Sequence, residues 1–273
     1  MIIRKTECQV TCCFLLAIIL IFAGQLDAQE TSFKENAVQI GTTQGADRFF
    51  PDSVAASTGN LTRFAFLVQK GPNAHVVVNG QTGPPYDGIS KGTPIIHPSG
   101  ERYAYIAHKE GQMRVVSDGT AQPWYDGIDR PVFSPDGKRL AYRAKEGGKQ
   151  ILVEDGEPVM AFDGIKGLPV FSPDSNHLAF MGVNGKKVSV VLDGKVILEG
   201  YKNAREITFS PDSAHLAVAV QQKKTWHVAK DGKISEKGFD FVQALTFSPD
   251  SRRFVYAAES DKELFLVENG KTT

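Results

Sequence analysis

Apolar residues in the second half of the chain recur in short runs separated by turn residues. The clearest example is residues 131–142, PVFSPDGKRLAY, where a Ser-Pro-Asp-Gly turn separates two apolar runs. The pattern returns three times, and one aromatic column recurs at intervals of 38 residues: Phe133, Phe171, Phe209 and Phe247. A fixed period between about 20 and 50 residues is typical of a repeat architecture.

Two further columns extend the repeat towards the N-terminus, with the same steps of 37 to 39 residues. One is a small residue inside an apolar run: Ala65, Ala104, Ala141, Ala179, Ala217 and Val255. The other is a turn glycine: Gly80, Gly119, Gly156, Gly194, Gly232 and Gly270. Their agreement predicts six repeats of about 38 residues, clearest from 94 to 273.

Each repeat predicts four short strands and no helix. In the third repeat these are residues 129–133, 139–144, 150–154 and 159–162. The last two are joined by Asp155-Gly156, a favoured two-residue hairpin turn. Four strands repeated six times predict an all-β fold, a six-bladed β-propeller of four-stranded blades.

The sixth repeat shows three strands and stops soon after Asn269-Gly270, so it lacks a predicted fourth strand. Residues 36–40, NAVQI, form an apolar run with no local partner. Because native sheets avoid unpaired edges, we expect this N-terminal strand to complete the last blade and close the ring. The alternative is a piece of a longer protein with seven or eight blades.

The N-terminus has the layout of a secretory signal peptide over residues 1–28. Arg4 and Lys5 precede an apolar run over residues 14–24, which is shorter than the about 20 residues that a membrane span needs. We therefore expect a periplasmic or secreted protein, residues 29–273, without stable membrane insertion after cleavage; an uncleaved signal anchor is the alternative. All three cysteines, Cys8, Cys12 and Cys13, lie in this segment, so no disulfide is predicted.

Charge excludes one class of partner. The chain has 31 basic and 31 acidic residues and no long run of one sign, whereas nucleic-acid binders usually carry a basic excess. We expect no nucleic acid as a partner, and a monomer.

The Ser-Pro-Asp-Gly turn, followed by a basic residue and Leu-Ala-Tyr, resembles the WD40-like propeller repeat of bacterial envelope proteins. Similar repeats occur in the Tol-system propeller and in prolyl-oligopeptidase-type peptidases, and the resemblance covers residues 46 to 273. It implies the propeller fold. The sequence shows neither the α/β domain that precedes the Tol-system propeller nor a hydrolase domain.

Two repeated polar columns have a structural interpretation. Asp136, Asp174, Asp212 and Asp250 would each stabilise their own turn. A basic column lies three positions later in the repeat and comprises Arg63, Arg102, Arg139, His177, His215 and Arg253. Its side chains would pair locally with those aspartates; the alternative is that they form a cationic ring.

The junctions between repeats are the candidate binding residues. Asp87, Asp126 and Asp163 precede the innermost strand of the next blade, with Trp124 beside them, at the rim of the face opposite the Ser-Pro-Asp-Gly turns. Lysine-rich loops between second and third strands share this face, and they include Lys145, Lys149, Lys187 and Lys224. The simpler alternative is that the aspartates serve their own turns and the lysines are solvated.

No catalytic constellation, metal-ligand spacing or cofactor motif appears, so none is assigned. The sequence favours a binding scaffold for another envelope or extracellular protein, a peptide or a glycan. The alternatives are a lyase- or hydrolase-type enzyme at the central channel mouth, or a propeller module of a larger envelope protein.

Overall fold

The computed structural model describes residues 45–57 and 63–272, which form six antiparallel β-sheets in chain order. The predicted signal peptide and the predicted closing strand at 36–40 lie outside the described residues. Within the described ranges, no helix has the length and apolar character to cross a membrane. The sheets fall into two compact units, the first ending at Trp124 and the second beginning at Tyr125.

The first unit holds two sheets. Sheet 1 consists of β1 (Arg48–Ala56), β2 (Phe64–Lys70), β3 (Asn73–Val78) and β4 (Gln81–Thr82). Sheet 2 consists of β5 (Gly88–Ile89), β6 (Ile95–Ile96), β7 (Tyr103–Lys109), β8 (Gln112–Ser117) and β9 (Thr120–Ala121).

The second unit holds four sheets. Sheet 3 consists of β10 (Gly127–Ile128), β11 (Val132–Phe133), β12 (Leu140–Glu146), β13 (Lys149–Glu154) and β14 (Glu157–Phe162). Sheet 4 consists of β15 (Gly164–Phe171), β16 (Leu178–Asn184), β17 (Lys187–Leu192) and β18 (Lys195–Tyr201). Sheet 5 consists of β19 (Asn203–Phe209), β20 (Leu216–Gln222), β21 (Thr225–Lys230) and β22 (Lys233–Ile234). Sheet 6 consists of β23 (Phe241–Phe247), β24 (Phe254–Ser260), β25 (Glu263–Glu268) and β26 (Lys271–Thr272).

In sheets 1, 4, 5 and 6 the strands pair in the order in which they follow along the chain. Sheets 2 and 3 have the same order, except that the inner strand is in two pieces, β5 and β6 or β10 and β11, which both pair with the next strand. This four-stranded meander, repeated six times, is the blade topology of a β-propeller, as predicted. One expectation is wrong: the sixth repeat does begin a fourth strand, because β26 pairs with Val267 and Glu268 of β25.

Burial explains why the small-residue column recurs. Ala141, Ala179 and Ala217 lie in the second strands and are completely buried. In the second unit, apolar side chains of successive sheets pack face to face: Ala141 and Leu152 of sheet 3 share a cluster with Phe180 of sheet 4. A sheet covered on both sides needs small residues where its neighbours approach, which accounts for the alanines.

The innermost strand of every sheet is irregular at its middle. The pairing register shifts between Lys166 and Val170 in β15 and between Arg205 and Thr208 in β19, with comparable shifts in β1 and β23. In sheets 2 and 3 the inner strand is divided into two short pieces. The predicted single strand at 129–133 is thus interrupted, since Pro131 has no N–H to donate to the ladder.

Each Ser-Pro-Asp turn is stabilised by its own side chains. Ser134 Oγ donates to Asp136 Oδ1 at 2.7 Å and accepts the Arg139 N–H at 3.0 Å. The Ser134 hydroxyl, and after it the Lys138 N–H that Asp136 Oδ1 accepts at 3.0 Å, lower the pKa of the Asp136 carboxyl to about 2. The corresponding aspartates of sheets 4 to 6 shift in the same direction. The structural interpretation of the aspartate column is therefore supported.

The turns also bind consecutive sheets of the second unit to one another. The backbone N–H of Asp136 donates to Ser175 Oγ of sheet 4 at 2.9 Å. The same bond joins Asp174 to Ser213 and Asp212 to Ser251, each at 3.0 Å. We call these three bonds the serine latches. The accepting serines have φ angles between 60° and 67°, in the left-handed region.

Residues of the basic column pair with carboxylates of their own sheets, but these partners are not the ones that the sequence predicted. His177 Nδ1 lies 2.7 Å from Asp193, and His215 Nδ1 lies 2.8 Å from Asp231. Both aspartates belong to the hairpin turn between third and fourth strands, and Arg102 pairs with such an aspartate as well. The expected pairing with the Ser-Pro-Asp aspartate is wrong for these residues, because the hairpin turn lies beside the start of the second strand.

We expect the turn aspartates to govern acid stability. Their folded-state pKa values lie below the value of about 3.9 in an unfolded chain, so the unfolded state binds more protons. The free energy of unfolding should therefore be level above pH of about 4 and fall as the pH falls towards about 2. Replacing Asp136, Asp174 and Asp212 together by Asn should make this fall shallower in urea titrations.

A matched triple variant, Glu101→Gln, Glu199→Gln and Glu236→Gln, removes the same charge at exposed positions outside these turns. It should retain the steep acid dependence. Equal slopes for the wild type and the aspartate variant would contradict the assignment.

Candidate functional site

The turns between second and third strands lie beside the junctions between sheets. In the second unit, Asp126 Oδ2 accepts the Gly147 N–H at 3.1 Å and Asp163 Oδ2 accepts the Gly185 N–H at 2.7 Å. Asp240 serves the turn of sheet 6 in the same way, accepting the N–H of Asp261 at 3.0 Å. We call this end of the second unit the turn face.

The three predicted junction aspartates all serve such turns. Asp126 and Asp163 belong to the turn face, and Asp87 does the same in the first unit, where its Oδ2 accepts the Glu110 N–H at 2.7 Å. Trp124 is half-buried, with the Arg114 guanidinium 4.0 Å from its ring centre and Tyr86 against its edge. Each of these four side chains therefore has a structural role. The second oxygen of each carboxylate can contact a ligand only where no other residue of the protein bonds to that oxygen.

The predicted lysines differ in their surroundings. Lys149 Nζ donates to Asp163 Oδ1 at 2.5 Å, which also lowers the pKa of that carboxyl. Lys187 Nζ donates to the Gly200 carbonyl at 3.0 Å. Lys145 and Lys224 are exposed, and neither forms an ion pair with any described residue.

Sheet 5 departs from the turn-capping pattern. Its junction residue is Lys202, whose N–H donates to the Gln221 carbonyl as the N–H of Asp126 donates to the Lys145 carbonyl. A lysine thus stands where sheets 3, 4 and 6 have an aspartate, directly beside the turn that carries Lys223 and Lys224. The 38-residue spacing would have located this substitution, but the sequence analysis did not include Lys202.

Together with the neighbouring turn of sheet 4 this makes a concentrated basic surface, the lysine patch, which comprises Lys186, Lys187, Lys202, Lys223 and Lys224. All five are exposed, and none forms an ion pair with a residue the structure describes. The segments that carry them, residues 184–187, 200–203 and 221–225, contain no carboxylate. One carboxylate, that of Asp163, contacts these segments at the Gly185 N–H, and it also pairs with Lys149. The patch is therefore a predominantly positive surface on a chain with no net charge.

Charged groups near the inner strands of the second unit join neighbouring sheets. Arg143 pairs with Asp129 of its own sheet at 2.5 Å and donates to the Ile165 carbonyl of sheet 4. The Lys166 amine donates to the Asn203 side chain of the next sheet. The Arg205 guanidinium lies 3.9 Å from the ring centre of Phe241 in sheet 6. Burial, and secondarily the charge of Arg205, lowers the pKa of Lys166.

Among the described residues, groups capable of acid–base chemistry meet in sheet 2, where Ser90 Oγ lies 2.6 Å from His108 Nε2. The largest pKa shifts belong to the Ser-Pro-Asp turns and to Tyr105 and Tyr142, where burial raises the pKa of the phenol. Across residues 45–57 and 63–272, no group of three or more His, Cys, Asp or Glu side chains is placed to hold a metal ion.

Comparison with solved structures returns β-propeller proteins at low similarity. TolB from Acinetobacter baumannii is 18% identical, with a TM-score of 0.39 over 80% of this chain, and the chain spans 64% of its length. The β-propeller domain of the Trilobed protease from Pyrococcus furiosus, described as having an open velcro topology, is 11% identical, with a TM-score of 0.41 over 84% of this chain and 83% of that domain. Dihydro-heme d1 dehydrogenase NirN is 13% identical, with a TM-score of 0.45 over 81% of this chain and 56% of that chain.

No protein-family model matches the chain, and no curated protein matches it. The similar structures belong to proteins of different kinds, so they give no basis for transferring a partner or a reaction. Function has to be argued from the surfaces of this chain.

Proposed function

We propose that the protein is a non-catalytic β-propeller scaffold that binds an acidic protein partner through the turn face of its second unit. The observation that carries the proposal is the lysine patch. Sheet 5 has the same backbone bond at Lys202 as sheets 3 and 6 have at Asp126 and Asp240, yet the carboxylate is replaced by an ammonium. The fold does not need this change, because the junction forms with either residue.

The composition of the patch favours a protein partner. Its cations are all lysines, which are hydrated point charges on flexible stems, and it has no arginine to grip phosphate or carboxylate in a bidentate manner. Such a surface steers an acidic partner during encounter and fixes its orientation. Loops at one end of a rigid sheet framework are common positions for binding residues.

The proposal includes export and a closed ring. Export is supported by the basic and apolar character of residues 1–28. Closure through residues 36–40 is supported by sheet 6, where β26 pairs with β25 only at Val267 and Glu268, and where Leu264 is 80% exposed. A strand added along this edge would complete the last blade.

Neutralising the patch should weaken association with a polyanionic polypeptide. The triple variant Lys202→Gln, Lys223→Gln, Lys224→Gln should bind immobilised poly-L-glutamate about tenfold more slowly than the wild type at low salt, because steering of this kind changes on-rates by about 10- to 1,000-fold. The difference should shrink at 0.5 M NaCl as screening shortens the range of the charges. Biolayer interferometry measures both rates.

The matched control is Lys138→Gln, Lys195→Gln, Lys233→Gln, which removes the same charge at turns of the opposite end of the sheets. Its association rate should stay close to that of the wild type. Equal losses in the two triple variants, or binding of a sulfated glycan but not of poly-L-glutamate through the patch, would contradict the proposal.

A further inference from the structure

A cleft of about 570 Å³ opens in the first unit. It lies between β1 of sheet 1 and the inner strands of sheet 2. Its apolar lining comes from Phe50, Val54, Leu67, Ile89 and Pro94. Clefts of about 300–1,000 Å³ with mostly apolar walls and a few polar groups are typical of small-ligand sites.

The irregular inner strands create this space. In β1 the register shifts between Phe50 and Ala55. In sheet 2 the segment between β5 and β6 leaves the ladder after Ser90, whose N–H still donates to the Ile106 carbonyl. Ser53 secures the first irregularity, since its Oγ donates to the Phe50 carbonyl at 2.6 Å and accepts the Leu67 N–H at 2.8 Å. Bulges of this kind redirect side chains and are frequent beside functional sites.

The second irregularity is also held in place by a side chain. Thr93, which is buried, donates its Oγ1 hydrogen to the Ser90 carbonyl at 2.7 Å, closing a turn around Lys91 and Gly92. Both walls of the cleft are thus fixed by internal hydrogen bonds. A ligand would meet a site that is already formed.

Charges of both signs line the cleft. Asp52, Asp87 and Lys91 contribute to its lining, and all three residues are exposed. One oxygen of Asp87 is used by the Glu110 N–H. Neither Asp52 nor Lys91 forms an ion pair with another residue in the described part of the chain. A ligand that complements this lining has a cationic group, an anionic group and an apolar body.

We propose that the cleft binds short peptides with free termini and apolar side chains, two or three residues long. The peptide ammonium would pair with Asp52 and Asp87, the terminal carboxylate with Lys91, and the side chains would cover Phe50 and Ile89. This site is separate from the lysine patch and does not depend on the function proposed for it. Isothermal titration of the full-length chain with the tripeptide Ala-Leu-Ala tests the assignment directly.

Wild-type protein should bind free Ala-Leu-Ala, and the N-acetylated, C-amidated form should bind at least about tenfold more weakly, because each charged hydrogen bond that is lost has an effect of that order. Lys91→Gln and Asp52→Asn should each weaken binding of the free peptide by a similar factor. Both residues are exposed, so folding should be preserved, and unchanged thermal unfolding verifies this.

Asp126→Asn is the matched control, because it alters the corresponding junction carboxylate in the second unit. It should leave peptide affinity unchanged, as should the lysine-patch variant. Equal affinity for free and capped peptides, no effect of Lys91→Gln, or no heat of binding at millimolar peptide would each overturn the proposal. Failure here would leave the poly-L-glutamate result unaffected, so the two proposals can be judged separately.

Discussion

Gly182→Ala should lower the free energy of unfolding by about 2–3 kcal/mol, which is a large effect for the addition of one methyl group. Gly182 is buried in β16, and a Cβ placed there would lie 2.4 Å from ring atoms of Phe162. The ring cannot withdraw easily, because Phe162 is 4% exposed and packs edge to face against Phe180. Thermal unfolding should show a midpoint roughly 5–10 °C lower.

A second substitution tests this cause. Phe162→Leu should be destabilising alone, but it should make room for the methyl group, so the double variant should be more stable than the sum of the single effects predicts by about 1–2 kcal/mol. Gly127→Ala is a useful control, since its Cβ would meet only Lys145 Cβ at an ordinary 3.7 Å. Additive losses in the Gly182 and Phe162 pair would show that the ring contact is not the cause.

Ser213→Ala should cost about 1–2 kcal/mol, whereas Ser213→Gly should be close to neutral. Both changes remove the latch to the Asp174 N–H, and a lost hydrogen bond that leaves a donor unpaired has this magnitude. Ser213 has a φ of 63°, however, and glycine adopts the left-handed region without the steric penalty that alanine retains. The relief of that penalty offsets the lost bond in the glycine variant alone.

Chemical denaturation of the two variants side by side measures the difference. Ser235→Ala and Ser235→Gly provide a control pair at a serine outside the latches. If Ser213→Gly were as destabilising as Ser213→Ala, backbone strain at the latch serine would be negligible and the interpretation of the positive φ would be wrong.

The blade topology could be predicted from the sequence because each repeat specifies it independently. The Ser-Pro-Asp turn and the Asp-Gly hairpin set the ends of the second and third strands, and in the third repeat β12 and β13 fall within two residues of the predicted bounds. The inner strands could not be predicted as well. In sheet 3 the break coincides with Pro131, which cannot donate to the ladder, but the sequence does not show that backbone pairing continues on both sides of it.

The candidate site was predicted only in outline. Repetition drew attention to Asp87, Asp126 and Asp163, but the structure gives them turn-capping bonds that any blade of this type can use. Lys202 was overlooked because it breaks the column instead of continuing it. In a repeat protein the constant positions maintain the fold, so the positions that vary between otherwise equal repeats are better candidates for binding.

The cleft of the first unit was beyond sequence analysis for a different reason. Ser53 and Thr93 are short polar residues whose importance depends on which carbonyl each one reaches. Neither belongs to a repeated column, and neither has a motif around it. Their roles follow from the paths of two separate inner strands.

The serine latches run in one direction along the chain. In each of them the earlier sheet provides the N–H and the later sheet provides the hydroxyl, 39 residues further on. During synthesis, a sheet of the second unit would therefore emerge from the ribosome before the serine that accepts its turn N–H has been made. Gly137, at the equivalent position in sheet 3, has no hydroxyl to offer. A duplicated repeat inserted after sheet 3 would have to accept the Asp136 N–H, so it would need a serine at the position that Gly137 occupies in sheet 3. This single position therefore constrains how such a chain can gain repeats.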